Sequence, residues 1–264
     1  MRRLQDKMKL KKLLETFLIR FIVIAGFLVI WQTIAGLDLW PDYLLPEPMA
    51  VLETLVSRFQ DGSLINAILV SFRRLLIGFS LASTLGFLLG LLLGLVPAAD
   101  DALSPFILAL QSVPSVVWLP LALLWFSLGE QAIIAVIILG ASWNMASTTT
   151  SGIKNVNPVY LKSARTLGAG SFSVFRRVIM PAALPSLITG LRFSWAFSWR
   201  ALMAGELIGG GSGLGQLLMW GRDMGNMRLV IGIIILIGSF GFITDNYIFK
   251  KIENKILQRW GYQQ

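Results

Sequence analysis

The stretch LLIGFSLASTLGFLLGLLLGLV, residues 75–96, decides the fold class of this chain. It carries no charged side chain, and it matches the helix of about 20 residues that crosses the roughly 30 Å hydrocarbon core of a bilayer. Glycines recur on one face of that helix, at Gly78, Gly86, Gly90 and Gly94. Small residues at this spacing let a second helix approach closely. The stretch therefore predicts a transmembrane helix packed against another span.

The rest of the sequence repeats this apolar character. Five further runs have the length of a span: residues 21–37, 107–126, 132–150, 184–207 and 229–249. Of the 264 residues, 55% are hydrophobic and 14% are charged, whereas soluble domains carry about 25% charged residues. This composition excludes a soluble domain. We predict an all-α integral membrane protein with six transmembrane helices, in which a basic segment, residues 1–20, precedes a transmembrane domain, residues 21–264.

The first apolar run has an alternative interpretation as a secretory signal peptide. The N-terminus MRRLQDKMKLKK is basic, as signal peptides are, and Thr33 and Ala35 resemble a small-residue cleavage site. The apolar run is, however, longer than the usual hydrophobic region of 7–15 residues. We therefore expect an uncleaved first span.

The distribution of Lys and Arg sets the orientation, because basic residues favour the cytoplasmic side of a membrane protein. With an inner N-terminus, the inner segments are residues 1–20, 97–106, 151–183 and 250–264. Three of these hold most of the 23 basic residues. Both termini are therefore predicted to be cytoplasmic. Arg73 and Arg74, at the outer end of the second span, do not fit this rule.

Proline positions predict where the helices bend or stop. Pro114 and Pro120 are expected to bend the third span, because proline removes a backbone donor and crowds the preceding turn. Pro181 is expected to end regular helix in the inner loop, and Pro185 to mark the start of the fifth span.

Missing residue types exclude several kinds of chemistry. The chain has no Cys and no His, which removes thiol nucleophiles, imidazole bases and the usual zinc and haem ligands. The glycine-rich stretch GGGSGLG, residues 209–215, lacks the lysine of a phosphate-binding P-loop. We therefore expect no enzyme activity and no cofactor in this chain. The net charge of +9 indicates cytoplasmic loops rather than a nucleic-acid partner.

The long inner segment, residues 151–183, encodes a bent helical structure. Asn157 and Pro158 form a helix start, with an N-cap followed by proline at the first helical position. Gly168 suits the residue just past a helix end, so a helix is predicted over residues 158–167. A second helix is predicted to start at Ser171. A surface helix lying on lipid needs a continuous apolar stripe, which the glycine elbow interrupts, so we favour a protein partner.

This segment resembles the inner loop of permease subunits of bacterial ABC importers. The family pattern is Glu-Ala-Ala, three residues, Gly, nine residues and Ile-x-Leu-Pro. Its spacing is kept in LKSARTLGAGSFSVFRRVIMPAALPSLITGLRFSW, although Lys162 replaces the acidic residue. The segments LLPEPMAVLETL, QSVPSVVWLPLALLWFSLGE and AGELIGGGSGLGQLL extend the resemblance and are similar to sulfonate, taurine, nitrate and bicarbonate permeases.

The resemblance implies a fold, partners and a mechanism. The fold is that of a type I importer permease in the bacterial cytoplasmic membrane. The implied partners are two copies of an ATPase that holds ATP and Mg²⁺, a second copy of this permease, and an extracytoplasmic substrate-binding protein. The implied ATPase-coupling residues are Lys162, Ser163, Ala164, Arg165, Gly168, Val178, Met180 and Pro181.

The implied substrate is a small anion, sulfonate- or taurine-like first and nitrate or bicarbonate next, which moves by alternating access. A neutral precursor such as a pyrimidine remains an alternative substrate. A secondary carrier driven by an ion gradient is an alternative class of protein, although such carriers usually show paired internal repeats.

Charges inside the predicted spans need partners, because a charge at a helix centre costs about 2.5–3.5 kcal/mol on insertion scales. Arg192 and Glu206 lie about 21 Å apart along one helix, too far to pair with each other. By depth, we expect Arg192 to pair with Asp245 and Glu206 to pair with Arg73 or Arg74. The alternative is that each charge reaches the lipid headgroups on its own.

A hydrated path for the substrate is the last prediction. Arg200 lies nearer the middle of the fifth span, and a guanidinium suits a small oxyanion. The alternative is that Arg200 forms an ion pair within the protein and has no role toward the substrate. The other polar side chains predicted to line the path are Gln111, Ser112, Ser115, Asn144, Ser147 and Thr148.

Overall fold

The computed structural model describes residues 2–37 and 39–259, so Met1 and residues 260–264 of the predicted cytoplasmic termini lie outside the described residues. Every regular element within these ranges is helical. The α-helices are α1 (Arg2–Gly36), α2 (Pro48–Gln60), α3 (Ser63–Leu95), α4 (Pro97–Ser112), α5 (Leu119–Phe126), α6 (Glu130–Lys154), α7 (Pro158–Thr166), α8 (Ser171–Val174), α9 (Met180–Ile208), α10 (Leu214–Asp223), α11 (Met227–Ile243) and α12 (Lys250–Arg259). A 3₁₀ turn (Ser115–Trp118) and two π-helical turns (Phe175–Ile179 and Thr244–Phe249) join some of them.

The helical fold class is confirmed. In the described part of the chain, five helical segments are long and apolar enough to cross a membrane, and a bent pair brings the number to six if it counts as one span. The five segments are Leu18–Gly36, Ser63–Leu95, Glu130–Lys154, Ser171–Ile208 and Met227–Lys255, and the bent pair is Pro97–Ser112 with Ser115–Phe126.

Several helices are longer than the apolar runs that predict them. α3 begins at Ser63, well before residue 75, and α4 begins at Pro97, where we expected an inner loop over residues 97–106. Pro97 is a favourable first helical residue, and Asp100 in the first turn complements the helix dipole. An apolar run marks the part of a helix that lies in lipid, whereas capping and helix propensity decide where the helix itself ends.

The third span is broken rather than gently bent. α4 and the segment Ser115–Phe126 meet at 99°. Val113 is extended, with φ −76° and ψ 121°, because the ring of the following Pro114 disfavours the helical conformation in its neighbour. Pro120 causes no break, since it lies in the first turn of α5, where a missing N–H is tolerated. The polar residues on the two sides of the break therefore do not lie along one straight helix axis.

The prediction that Pro181 ends regular helix is wrong. Helical structure runs from Ser171 to Ile208. The N–H of Met180 donates to the carbonyl of Phe175, five residues back, so a wide π-helical turn precedes the proline. Pro181 then occupies a first-turn position of α9, where no intrahelical donor is needed. Pro185 lies inside α9 and does not begin it, since packed membrane helices tolerate internal proline.

The centre of the molecule is α6, which packs between α3 and α9. Its fully buried Ile133 and Ile137 belong to a core cluster with Leu75 of α3 and Leu202 of α9. At Gly86 of α3, an added Cβ would lie 2.4 Å from the backbone carbonyl oxygen of Ser142. The glycine face predicted from the sequence is therefore the surface on which α3 and α6 meet.

A second core lies between α3, α10 and α11. Leu64 of α3, Leu214 of α10 and Leu229 of α11 are buried against one another. The described membrane segment of α1 makes little contact with the rest of the chain. Its Trp31 Nε1 donates to the carbonyl of Pro46 at 3.0 Å, which ties the outer part of α1 to the start of α2.

Candidate functional site: a helical elbow, two ion-pair clusters and a cavity at the broken span

The connection between α6 and α9 forms the predicted helix and elbow. The Asn157 side chain accepts a hydrogen bond from the N–H of Val159 at 2.9 Å and caps α7. At the other end, the N–H groups of Gly168 and Ala169 donate to the carbonyls of Arg165 and Ala164. This pair of bonds is a Schellman motif, which needs a left-handed residue. Gly168 supplies it with φ +82°.

The tip of the elbow is apolar and open. Leu167 is 87% exposed and Phe172 is 73% exposed. Of the predicted coupling residues, Lys162, Ser163, Arg165 and Gly168 are exposed and Ala164 is half-buried. An apolar tip with a polar rim is typical of a surface that another protein covers.

The remaining predicted coupling residues lie at the base of the elbow. Val178, Met180 and Pro181 are half-buried. Val178 and Pro181 line a cleft of about 510 Å³ together with Tyr160 of α7 and Arg177. The three residues therefore lie between the elbow and the transmembrane part of α9 and are not part of the exposed tip.

A buried ion pair lies at the C-terminal end of α9. Glu206 is fully buried, and its Oε1 accepts a hydrogen bond from Arg74 Nη1 at 3.0 Å. The Ser71 hydroxyl lies 2.8 Å from both carboxylate oxygens and accepts the N–H of Leu214 at 2.8 Å. The N–H of Gly215 donates to Glu206 Oε2 at 2.9 Å.

The glycine-rich stretch before α10 wraps around this carboxylate. A Cβ at Gly213 would lie 2.3 Å from Glu206 Oε1, and a Cβ at Gly215 would lie 2.6 Å from Glu206 Cβ. Arg74 also donates to the carbonyl of Ser212. The stretch 209–215 is thus a close-fitting cover for Glu206 and not a phosphate loop.

The structure brings Glu206 together with Arg74 and not with Arg73. Arg73 pairs instead with Glu130 at the start of α6. Adjacent residues on a helix point about 100° apart, so only one of the two arginines faces α9. Sequence reasoning missed Ser71, although a spacing of three residues places it on the same helix face as Arg74.

A second cluster joins α9 to the last part of the sixth span. Arg192 donates to Asp245 in a bidentate manner, with Nε 2.6 Å from Oδ1 and Nη2 2.7 Å from Oδ2. Its Nη1 donates to Glu253 Oε2 at 2.9 Å. The predicted pair is present, and Glu253 is an additional partner that sequence reasoning missed. Asp245 and Glu253 are two helical turns apart, a spacing that places them on one face.

Four of the seven predicted path residues meet at the broken span. Gln111, Ser112, Ser115 and Arg200 line a cavity of about 260 Å³ together with Val113, Pro114, Gly140, Trp143 and Phe197. We call this space the break cavity. Asn144 lies behind it, where its Oδ1 accepts a hydrogen bond from Gln111 Nε2 at 2.9 Å.

The other two path residues lie elsewhere. The Thr148 hydroxyl donates to the carbonyl of Asn144 at 2.7 Å, within its own helix. Ser147 lines a separate cavity of about 250 Å³ near Asp100 and Lys154. The structure therefore does not place Ser147 and Thr148 at the break cavity. Trp143 and Phe197, which do line it, carry no sequence signal that distinguishes them from core aromatics.

No metal centre is found in the described part of the chain, where no three His, Cys, Asp or Glu side chains are arranged to hold an ion.

A comparison with known families assigns the chain to one of them. Residues 82–249 match the family described as "binding-protein-dependent transport system inner membrane component". The chain belongs to this family. It is a permease component of an ABC importer and a multi-pass membrane protein, as the resemblance in the sequence implies.

Two relatives are similar to this permease over most of its length. The putative aliphatic sulfonates transport permease protein SsuC of Bacillus subtilis is 32% identical, over 89% of this chain and 84% of its own. The nitrate import permease protein NrtB of Synechocystis is 34% identical, over 86% of this chain and 85% of its own. The predicted membership among sulfonate and nitrate permeases is confirmed at the level of the family.

A solved structure shares the fold of the permease. The MetNI methionine ABC transporter in an inward-facing conformation matches with a TM-score of 0.66, over 75% of this chain and 97% of that chain. The sequence identity is 18%, so the likeness concerns the fold alone. It confirms the predicted type I importer fold.

Proposed function

We propose that this permease moves a small anion into the cytoplasm by alternating access, driven by a separate ATPase. In the assembly, two copies of the permease bind two copies of the ATPase, which holds ATP and Mg²⁺, and a binding protein delivers the ligand to the outer face. The chain itself contributes no catalytic residue. Its membrane is the cytoplasmic membrane of a bacterium.

The exposed tip of the elbow carries the ATPase part of the proposal. Leu167 and Phe172 are large apolar side chains that lie almost wholly outside the core, and burying such side chains in an interface stabilises a complex. The Schellman motif at Gly168 holds the tip rigid, and Val178 and Pro181 connect it to α9. A push on the elbow is therefore transmitted to the fifth span.

The substrate class is supported by two observations. SsuC and NrtB, by their names, transport aliphatic sulfonates and nitrate, and both substrates are small oxyanions. Arg200 adds a cation at the break cavity. We therefore propose a sulfonate-like substrate first and nitrate or bicarbonate next.

Replacing Leu167 with Asp is expected to weaken ATPase binding by about thirtyfold, which corresponds to the roughly 2 kcal/mol of an interface anchor. ATP-driven uptake into proteoliposomes should fall to a similar extent. The assay reconstitutes the permease with its ATPase and binding protein, and it follows labelled ethanesulfonate and nitrate.

The matched control is Leu128→Asp, since Leu128 is 73% exposed but lies between α5 and α6, at the end of the molecule opposite the elbow. This variant should bind the ATPase normally. A second variant, Gly168→Val, removes the left-handed turn and should uncouple uptake while α7 remains capped at Asn157. Uptake that needs no ATP, or that survives loss of ATPase binding, would exclude the importer proposal in favour of an ion-driven carrier.

A further inference from the structure

Arg200 differs from Arg192, the other arginine of α9, in having no acidic partner in the described part of the chain. Arg192 forms ion pairs with Asp245 and Glu253, and Glu206 forms an ion pair with Arg74. Arg200 lies about 9 Å inward from Glu206 along the same helix, at 1.5 Å per residue. A charge at this depth needs a cavity or a ligand. The Arg200 side chain lines the break cavity and is exposed in the single chain.

The guanidinium of Arg200 is held by an aromatic ring and not by a counter-charge. Its Cζ lies 4.8 Å from the centroid of the Phe197 ring, one helical turn earlier. Stacking of this kind restrains the side chain and leaves the N–H donors at the edge of the guanidinium plane unused. Those donors are therefore free for a ligand with oxygen acceptors.

Two further polar groups at the break cavity lack partners. Trp143 Nε1 is a buried donor with no hydrogen-bond partner, and Gln111 Oε1 is a buried acceptor with none. Gln111 is otherwise fixed through Nε2 to Asn144. Buried polar groups are rarely left unpaired unless they serve an absent ligand or water. Neither atom is open to the cavity in this conformation, so the Arg200 fork is the donor group that a ligand reaches directly.

The break in the third span creates the space. Ser112 ends α4 and Ser115 begins the 3₁₀ turn, and both line the cavity because the backbone turns through 99° between them. Gly140 of α6 allows this approach, since a Cβ there would lie 2.8 Å from Ser115 Cβ. Val113 and Pro114 add an apolar wall. The volume of about 260 Å³ suits a small ion with a short apolar tail.

We propose that the break cavity is a binding subsite for a small, singly charged oxyanion, with Arg200 as its cationic anchor. The site selects for charge and size, with the apolar wall accepting a short aliphatic group. The inference rests on the proposed function for its place in a transport path.

The absence of native cysteine makes the test direct. A single Ser115→Cys substitution places a thiol at the cavity, and two reagents of similar size compete for it in the purified full-length chain. They are the anionic sulfonatoethyl and the cationic trimethylammonioethyl methanethiosulfonates. We expect the ratio of anionic to cationic labelling rates to fall at least tenfold when Arg200→Gln is added. Arg200→Lys should keep most of the ratio, which separates lost charge from lost folding.

Protection gives a second readout on the parent Ser115→Cys protein. Ethanesulfonate should slow labelling, whereas dimethyl sulfone, a neutral compound of similar size, should not. The matched control is Arg177→Gln, which removes an arginine from the cleft at the base of the elbow and should change neither readout. A thiol inert to both reagents, a ratio indifferent to Arg200→Gln, or equal protection by the neutral compound would each overturn the inference.

Labelling needs neither ATPase nor binding protein. Normal labelling with failed anion uptake in the reconstituted importer would therefore refute the proposed function and not the cavity. Normal uptake together with a labelling ratio that Arg200→Gln does not change would refute the cavity inference alone.

Discussion

The Glu206→Ala variant is expected to lose about 3–5 kcal/mol of unfolding free energy, because removing one partner of a buried pair leaves the other charge buried and unpaired. The side chain of Arg74 is 5% exposed and that of Glu206 is 0% exposed. The variant also removes the acceptor for Ser71 and for the N–H of Gly215. Three helices, α3, α9 and α10, meet at this carboxylate and its partners, so the loss is not compensated locally.

The measurement is thermal or denaturant unfolding of the purified permease in one detergent. The neighbouring pair supplies the control, since Arg73→Gln removes a surface interaction with Glu130. The side chain of Arg73 is 60% exposed, and surface pairs contribute about 0–1 kcal/mol. Equal effects of Glu206→Ala and Arg73→Gln would contradict the buried geometry. Glu206→Ala with Arg74→Met removes both charges and should recover part of the loss.

The double variant Gly86→Ala and Gly90→Ala is expected to destabilise the permease by about 1–3 kcal/mol at each position, the usual cost of overpacking. A Cβ at Gly86 would lie 2.4 Å from the backbone oxygen of Ser142, and a Cβ at Gly90 would lie 2.6 Å from that of Ala146. Backbone atoms cannot move aside as a flexible side chain does. The helices α3 and α6 must therefore separate.

Gly238→Ala in α11 is the matched control for this pair, because nothing lies within 4 Å of a Cβ at Gly238. Alanine favours helix over glycine by about 1 kcal/mol, so the control should be neutral or slightly stabilising. The readout is the unfolding midpoint together with the yield of monodisperse protein. A double variant as stable as the control would show that α3 and α6 do not touch through this face.

The spans, their order and the bent elbow were predictable because each depends on local chemistry. An apolar run long enough for a bilayer specifies a membrane helix wherever it lies in the chain. Asn157 caps α7 and Gly168 ends it through bonds that reach no further than five residues. The glycine face of α3 likewise follows from the periodicity of one helix.

The remaining features depend on the angle and rotation at which neighbouring helices pack. Local patterns in the sequence do not show either. The pairing of Arg74 rather than Arg73 with Glu206 depends on which face α3 turns toward α9, because the two adjacent arginines point about 100° apart. Glu253 joins Arg192 only because the sixth span continues helically past its π-helical turn. The prediction for Pro181 was wrong because a π-helical turn precedes it. Pro181 therefore lies in the first turn of α9, where its missing N–H removes no hydrogen bond.

From the sequence alone came the membrane class, the transport family and the elbow, since apolar length, caps and motif spacing act between near neighbours along the chain. Only the tertiary structure decided which arginine is paired and which one, Arg200, faces a cavity. Those outcomes depend on side chains far apart in sequence, whose distances are set by the packing of α3, α6 and α9 around the broken third span.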